Sequence, residues 1–598
     1  MSTVLGSAQW STDHGNWRYT PIGNAGSPFQ GRFLLLGESP NVHGHLHVRP
    51  PVQHLISIAP TRSGKGVSLI VPNLLVYGGS VLVVDPKGEN AWITAAHRRD
   101  ALGQKTVIVD PWGEVNRRYG SMAGESETIA RFNPLSILDP GSDEYVDDLA
   151  YLADAVIISQ SSRDPHWDDS ARELVAGLIA FVVESPQYRD SASLGLVRAL
   201  LSLPGPQLRV AIRDAQNLEP GSIARAKLAR FEAETNEIDS VMSTARTQTG
   251  FLDSEVLTRN METSDFSFEE LCGGNISVYL VLPPDKLETY ARWLRLMVSI
   301  AIRAVSRGCA TRSLSVSLPS QVLGQPGARG LGGSKSLDIQ RPQNSVGLPV
   351  LFILDEFGTI GKLNAVAQAY GLMAGLGMIM WAFAQDLNQL KRDYPDHWET
   401  FIGNSQAMTC FGVMDNFTAD YISKMLGTAT VQQVNVSKTE GVSVAPLTDN
   451  APWRVSQRTS VQTSTSYSTQ TMSRALLNPD EVRGLSGDHC LIMGRHPPIL
   501  GRRIVYYEDW DMLHCVRPDP RFPRTEQVRW RALQRRLYEM GSVQRLLKEY
   551  RYEVKALKGG RWEVTAEPGT AKPARSFGSD NELWHWTYIL AMDGVDQA

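Results

Sequence analysis

His54-Leu-Ile-Ser-Ile-Ala-Pro-Thr-Arg-Ser-Gly-Lys-Gly-Val67 is the stretch on which the fold turns. His54 to Ala59 is a short apolar run stopped by Pro60, which predicts a buried strand. After the turn through Gly64-Lys65-Gly66, Val67–Leu75 has helical character. A strand, a glycine-containing loop and a helix form the setting in which backbone N–H groups converge on a phosphate. The positive end of the helix dipole lies behind them. On this reading the cradle is Thr61, Arg62, Ser63, Gly64, Lys65, Gly66 and Val67, and Lys65 reaches the β- and γ-phosphates of a nucleotide. Two positions depart from GxxxxGK[ST]. Ala59 stands at the first glycine, and Gly66 stands where a Ser or Thr hydroxyl would bind Mg2+. Taken alone, the stretch also fits an ordinary strand-to-helix turn.

Further along the chain, Ser80–Val84 ends at Asp85 and Val107–Val109 ends at Asp110. Ile276–Leu282, Val350–Leu354, Met378–Phe383 and Ala407–Val413 are further β runs. Strands alternating with helices predict an α/β fold with a parallel-rich sheet covered on both faces. Leu351-Phe-Ile-Leu-Asp-Glu-Phe357 closes a β run with two acids. An acidic pair at a strand's carboxyl end is where an ATPase supports Mg2+ and activates water. Asp355 is the candidate to hold the metal through water, and Glu356 is the candidate general base. Solvated acids in a turn are the plainer alternative. Gln385, after Met378–Ala384, is a candidate γ-phosphate sensor, or a capping residue beside Asp386 and Asn388. Lys65, Asp355 and Glu356 complement one another chemically, and together they point to nucleotide hydrolysis.

The chain divides by texture. Residues 1–142 hold an N-terminal segment and the first part of the nucleotide-binding domain. Residues 143–262 read as an inserted helical domain, with helical patterning over Asp147–Ser159, His166–Glu184, Ala192–Ser202 and Ile223–Thr235. Residues 263–515 complete the nucleotide-binding domain, starting with the strand at Ile276 and the helix Lys286–Arg307. Segments near 312–348 and 434–474 are rich in small polar residues and read as exposed, mobile loops, the second as a hairpin or disorder. Residues 516–598 form a basic extension containing Trp562, Trp584 and Trp586. From Arg517 to Arg561 it carries 13 Lys/Arg against 5 Asp/Glu, with helical spacing over Gln527–Leu557. Partner docking, DNA or anionic lipid, and plain solvated surface are all open for it. His166-Trp-Asp-Asp169 reads as a helix start with an Asp cap and a buried Trp rather than a metal site.

Composition sets outer bounds. At 42% hydrophobic and 20% charged, the 598 residues can bury a sizeable core, which excludes a disordered chain. A net charge of −4 excludes a uniformly basic nucleic-acid coat and leaves room for local basic patches. Five scattered cysteines without a CxxC pair argue for a reducing compartment. Gly371–Ala384 falls short of the roughly 20 apolar residues of a membrane span. Val67–Val84 is broken by Pro72, Asn73, Gly78 and Gly79, so a soluble chain is expected.

The ordered set of motifs resembles the type IV secretion coupling proteins, the conjugal transfer ATPases. The set runs through Ala59–Val67, Val71-Pro-Asn-Leu-Leu75, Val84-Asp-Pro-Lys-Gly-Glu-Asn90, Phe132-Asn-Pro-Leu135, His166–Arg172 and Ser243-Thr-Ala-Arg-Thr-Gln248. It continues through Val278–Pro284, Leu354–Phe357, Gln385, Tyr421–Gly427 and Arg474–Glu481, spanning residues 6–510. The resemblance implies a RecA-like P-loop NTPase domain with an inserted all-α domain, using ATP and Mg2+. It implies a hexameric ring with nucleotide between subunits, which passes relaxase-bound DNA or protein effectors to a secretion channel. It places the chain in the bacterial cytoplasm, peripheral at the inner membrane. Family members usually carry transmembrane helices just before a segment like Leu5–Trp10. Here that implies a soluble variant, a separate membrane-anchor subunit or a lost start, and a monomer in isolation is compatible with each. Some relatives carry a trans-acting arginine in the helix before the sensor strand. Tyr370–Gly375 has none, and Arg246 and Arg292 are the candidates to replace it. A nucleotide-regulated docking hub without motor activity is the alternative function.

Overall fold

The computed structural model describes residues 53–120, 129–158, 166–316, 347–447 and 456–517, apart from 373–374 and 514. It also describes the short pieces 8–10, 18–20, 33–38, 45–48, 547, 552–557, 561–566 and 575–577. The strands in chain order are β1 (Arg18–Thr20), β2 (Leu34–Glu38), β3 (His45–Val48), β4 (His54–Ile58), β5 (Val81–Val84), β6 (Lys105–Val109) and β7 (Ile276–Leu280). They continue with β8 (Val350–Leu354), β9 (Met378–Ala384), β10 (Ser405–Cys410), β11 (Thr428–Leu447), β12 (Ser456–Ala475), β13 (His489–Gly494) and β14 (Ile499–Arg502).

Twelve strands form one sheet in the order β1-β3-β2-β14-β13-β10-β4-β9-β8-β5-β7-β6. From β10 to β6 every neighbouring pair is parallel. From β10 outward through β13 to β1 every pair is antiparallel. Strands β4, β5, β7, β8 and β9 are buried along their whole length, as continuous apolar runs covered on both faces must be. The expected α/β, parallel-rich sheet is therefore present, with an antiparallel wing that no expectation included. β9 lies between β4 and β8, and Trp381 is in register with both Leu55 and Ile353. The carboxyl ends of β4, β9 and β8 thus open on one edge of the sheet, where ligands of parallel α/β sheets bind.

At the opposite end of these strands His54 is buried. Its Nε2 lies 2.9 Å from the Ala369 carbonyl, and its Nδ1 accepts the Met380 N–H at 3.1 Å. That pattern requires the neutral ring, and burial lowers its pKa to about 4. The folded value lies below the unfolded one, so the unfolded chain binds the proton first and stability falls as pH drops from 6.5 toward 4. His54 alone is expected to cost up to about 3 kcal/mol across that window. Melting temperature against pH checks this, and His54→Gln should flatten that part of the curve.

The loop after β4 leads into a wide helical turn, Gly66–Ile70, with the Val71 N–H bonding the Gly66 carbonyl. An α-helix follows at Val71–Val76. Pro72 accounts for the wide turn: its ring would press on the carbonyl of Ser68, and widening by one residue relieves it. Buried Asn73 then locks the helix to β2. It accepts the Leu35 N–H at 2.7 Å and donates to the Leu35 and Leu69 carbonyls at 2.9 and 2.7 Å.

The next helix, Glu89–Asp100, buries Arg98 completely. The guanidinium donates to Ser277 Oγ at 2.6 Å and to the carbonyls of Leu74, Tyr77 and Gly79 at 2.5, 3.0 and 2.8 Å. It also donates to Gln104 Oε1 at 2.8 Å. Burial lowers its pKa to about 10, so it stays charged at neutral pH. It ties the phosphate-loop helix, β7 and the Gly78-Gly79 turn together. Arg98→Ala takes the guanidinium from the buried Leu74 and Tyr77 carbonyls, while Gly79 keeps its bond from Gln104, and is expected to cost about 3–5 kcal/mol, read as a lower denaturant midpoint.

The helical unit runs from Tyr145–Val156 and His166–Glu184 through Leu194–Ser202, Gly205–Ala215 and Ile223–Leu228 to Asn236–Gln248 and Glu255–Asn260. Ser193, Ser222, Thr235 and Ser254 cap four of these helices. Its entry and exit strands touch: the Phe132 N–H bonds the Asn260 carbonyl, and the Asp265 N–H bonds that of Arg131. An insertion into a finished sheet requires this closeness of ends.

Several expectations change. The helix expected over Ile223–Thr235 stops at Leu228 and tightens into a 3-10 turn. Trp167 is 36% exposed, not buried, and His166 faces Glu237. The helix from Leu287 runs to Val316, into the segment expected to be a loop, and 317–346 lie outside the described residues. Of the two alternatives for 434–474, a hairpin or disorder, the paired strands of a hairpin are present: β11 and β12 form a regular antiparallel ribbon, twenty residues each, in which β-branched and polar residues alternate. Tyr552–Leu557 is a strand paired with Arg561–Ala566, not the end of a helix. Tyr552, Val554 and Ala556 alternate with charged residues, a period of two. The rest of the expected helix over 527–557, save Leu547, and Trp584 and Trp586 lie outside the described residues. Among the described residues no helix is long and apolar enough to cross a membrane.

Candidate active site

Lys65 closes the loop after β4 and is 7% exposed. Its Nζ lies 2.8 Å from Glu356 Oε1 and 3.2 Å from Asp355 Oδ1, both just beyond β8. Gln385, just beyond β9, donates from Nε2 to Glu356 Oε2 at 2.9 Å. Three loops from three adjacent strands thus bring Lys65, Asp355, Glu356 and Gln385 into one cluster.

The backbone is held in unusual shapes at this cluster. Arg62 (φ 64°) and Glu356 (φ 52°) are the non-glycine residues with positive φ among those described, one in each half of the cluster. Such conformations cost of order 1–3 kcal/mol each and mark functional loops. Ser63 turns back on Pro60, its Oγ donating to that carbonyl at 2.6 Å. Ala59 is buried, and its N–H bonds the Ala384 carbonyl at 2.9 Å. The residue at the first glycine position therefore continues the sheet ladder, where a side chain is tolerated. At Gly66 an added Cβ would meet nothing within 4 Å, so the space for a hydroxyl exists and the hydroxyl does not. Gly64 (φ 93°) holds a backbone conformation that side-chain-bearing residues rarely adopt, and a Cβ there would also push on Arg503 Nη1 at 2.5 Å.

Electrostatics follow from burial and pairing. Burial disfavours the Lys65 charge, but Asp355 and Glu356 outweigh it and hold its pKa above the usual value. Burial raises the Asp355 carboxyl, and Lys65 offsets this only in part. Burial also pushes Glu356 up, yet Lys65 and the Gln385 amide prevail and keep it below the usual carboxylate range. In this arrangement the lysine neutralises the two acids.

Sequence reasoning passed over several supporting residues. Gln389 accepts the Gln385 N–H at 3.2 Å and packs so closely on Gly358 that no Cβ fits there. Arg503, just beyond β14, donates to the Ser63 carbonyl and lies over the Phe411 ring at 5.3 Å. Lys87 adds positive potential at Glu356. It follows β5, whose Val84 is in register with Leu354. The signal for it was Asp85-Pro-Lys-Gly-Glu89, which recurs as Asp110-Pro-Trp-Gly-Glu114. In each copy the Asp accepts a helix N–H, from Ala91 at 2.8 Å and from Val115 at 2.9 Å. Asp85 is wholly buried, which lifts its pKa to about 7.

The two candidate trans-acting arginines, read as acting on a neighbouring subunit's nucleotide, bond carbonyls of their own chain. Arg246 donates to the Leu201 and Leu203 carbonyls at 2.6 and 2.8 Å, and Arg292 donates to the Gln248 carbonyl. Both hold backbone within or beside the helical unit, and neither bonds the Lys65 cluster.

A parallel sheet, a glycine loop with its lysine on two strand-end acids, and an inserted helical unit define a P-loop nucleotide-binding class of protein. Residues 22–312 and 334–530 match the family described as type IV secretory system conjugative DNA transfer, and the chain belongs to it. Conjugal transfer protein TraG of Escherichia coli is 25% identical over 485 residues, covering 76% of this chain and 68% of its own. Protein VirD4 of Agrobacterium fabrum is 25% identical over 484 residues, covering 80% of this chain and 60% of its own. Among solved structures, the unbound bacterial conjugative coupling protein TrwBdeltaN70 superposes with a TM-score of 0.53 at 15% identity, covering 84% of this chain and 95% of that one. The plasmid coupling protein TrwB in complex with ADP and Mg2+ gives 0.50 at 16% identity, covering 84% and 96%. These likenesses support the RecA-like fold with its all-α unit.

Proposed function

We propose that this chain is an ATPase coupling protein of type IV secretion, delivering DNA or protein substrates to a secretion channel by ATP hydrolysis. The observation that carries the reading is the cluster of Lys65, Asp355, Glu356 and Gln385 at the ends of β4, β8 and β9. Backbone N–H groups of residues 61–67 bind the phosphates, and Lys65 leaves the two acids for the β- and γ-oxygens. The donor set fits Mg2+, which binds through one or two carboxylates, water and substrate phosphates. Asp355 is that carboxylate, and the cation would neutralise phosphate charge. Glu356 takes a proton from water as the water oxygen bonds the γ-phosphorus. The bond from that phosphorus to the bridging oxygen breaks, and ADP and phosphate leave. Gln385 orients Glu356 and reports the γ-phosphate to the helix it precedes. The TrwB structure with ADP and Mg2+ supports the cofactor assignment for a protein of the same fold.

On the same reading, subunits form a hexameric ring at the cytoplasmic face of the inner membrane, engaging relaxase-bound DNA or effectors. ATP turnover of the purified chain, alone and with single- or double-stranded DNA, tests it. DNA-stimulated turnover that disappears in Lys65→Ala and Glu356→Gln is the expected result. Nucleotide binding without turnover under any condition would instead favour a docking hub.

A further inference from the structure

The ribbon of β11 and β12 stands apart from the nucleotide site. Its strands pair in unbroken register from Thr428↔Ala475 to Leu447↔Ser456. A two-stranded ribbon is marginal in water and is stabilised by a third layer or strand. Its two faces differ sharply. One carries Asn435, Ser437, Ser466 and Ser468 and is polar through its middle, with the half-buried pair Val431 and Met472 nearer the base. The other carries Val434, Val436, Val442, Val461 and Tyr467, each between 52% and 72% exposed. These five form two exposed apolar clusters, Val434, Val436 and Tyr467 on one side and Val442 and Val461 on the other, with Lys438, Glu440, Thr463 and Thr465 between them.

The pattern on that face reads the same from both ends, with the charges exchanged. Along β11 the face runs Val436, Lys438, Glu440, Val442. Along β12 it runs Val461, Thr463, Thr465, Tyr467. Place a two-fold axis across the ribbon, between Lys438 and Glu440 and between Thr463 and Thr465. Face to face with a second copy, Lys438 then meets Glu440, Val436 meets Val442, Thr463 meets Thr465, and Val461 meets Tyr467. Shifting the axis by one pair along the ribbon sets Lys438 against Lys438 or Glu440 against Glu440. A contact of one patch with itself is what two-fold association requires. Stacked sheets about 10 Å apart bring such facing side chains into contact.

We propose that this ribbon is a homotypic docking element, its apolar face packing on the same face of a second copy across that two-fold axis. The pairing is independent of nucleotide and of the ATPase reading, and being two-fold it joins copies that are not neighbours within one ring.

The test uses the full chain. Val436→Cys and Val442→Cys chains are made separately and treated with a short thiol cross-linker, alone and mixed, beside wild type as the control for native cysteines. Across the axis, residue 436 meets residue 442, whereas two copies of residue 436 lie roughly 20 Å apart. The mixture is expected to give several-fold more covalent dimer than either chain alone. Lys438→Glu or Glu440→Lys, added to both chains, should weaken dimerisation roughly tenfold by setting like charges together, and the double reversal should restore it. Restoration separates a lost contact from a misfolded ribbon. Equal cross-linking in all samples, or none in the mixture, overturns the proposal. So does a reversal that leaves cross-linking unchanged while DNA binding falls, which would assign the face to nucleic acid.

Discussion

Glu356→Gln is expected to bind nucleotide as well as the native chain and to turn it over roughly 100- to 10,000-fold more slowly, the usual worth of a general base. The substitution keeps the size of the side chain. The amide oxygen can still accept from the Gln385 amide or face Lys65, so the loop is not released. Only proton acceptance is lost. Before nucleotide binds, Glu356 is held ionised below the usual carboxylate range, burial being outweighed by Lys65 and Gln385. Single-turnover phosphate release beside a nucleotide-binding titration checks both halves. Native turnover in the variant would move the proton to another acceptor.

Lys65→Ala is expected to weaken nucleotide binding at least roughly 100-fold, because the loop loses the one side-chain cation placed for the β- and γ-phosphates. It also alters the empty protein. Asp355 and Glu356 are left side by side, largely buried and without their shared counter-charge. Breaking such a buried pair by removing one partner costs about 3–5 kcal/mol. The sign of the pH dependence follows. Without Lys65 the two carboxyls have folded pKa values above their unfolded ones, so the folded state keeps protons longer. The penalty is absent in acid and grows as pH rises through the raised values. Melting curves of variant and native chain should nearly coincide at low pH and separate toward pH 8. A constant gap at all pH values would mean that Lys65 does not neutralise the pair.

The parts of the site at the ends of apolar runs were legible in the sequence. Lys65, Asp355 and Gln385 each follow a strand that is buried on both faces, and such strands announce themselves by composition. The contact between Lys65 and the acids was not legible, because strand order is set by packing and no local pattern records that β9 lies between β4 and β8. Arg98 was missed for a different reason. In Ala95-Ala-His-Arg-Arg-Asp100 it reads as one more charge on a solvated helix face, and only the turn at Gly78-Gly79 supplies the carbonyls that bury it. The antiparallel wing was missed because β1, β3 and β14 mix polar and apolar residues, whereas β5 and β8, at most two residues longer than these, are wholly apolar runs.

The wide turn at Gly66–Ile70 also fixes the angular phase of everything after it. An α-helix advances about 100° per residue, so one extra residue in a turn rotates the following side chains by that amount relative to those before it. Lys65 is set by the phosphate loop upstream, and Asn73 by β2 downstream. The two settings are compatible only with the extra residue in between. Deleting one residue from 66–70 would give a more regular helix and swing Asn73 away from Leu35. Pro72 thus acts as a phase key, matching the orientation of the phosphate-binding end to that of the antiparallel wing.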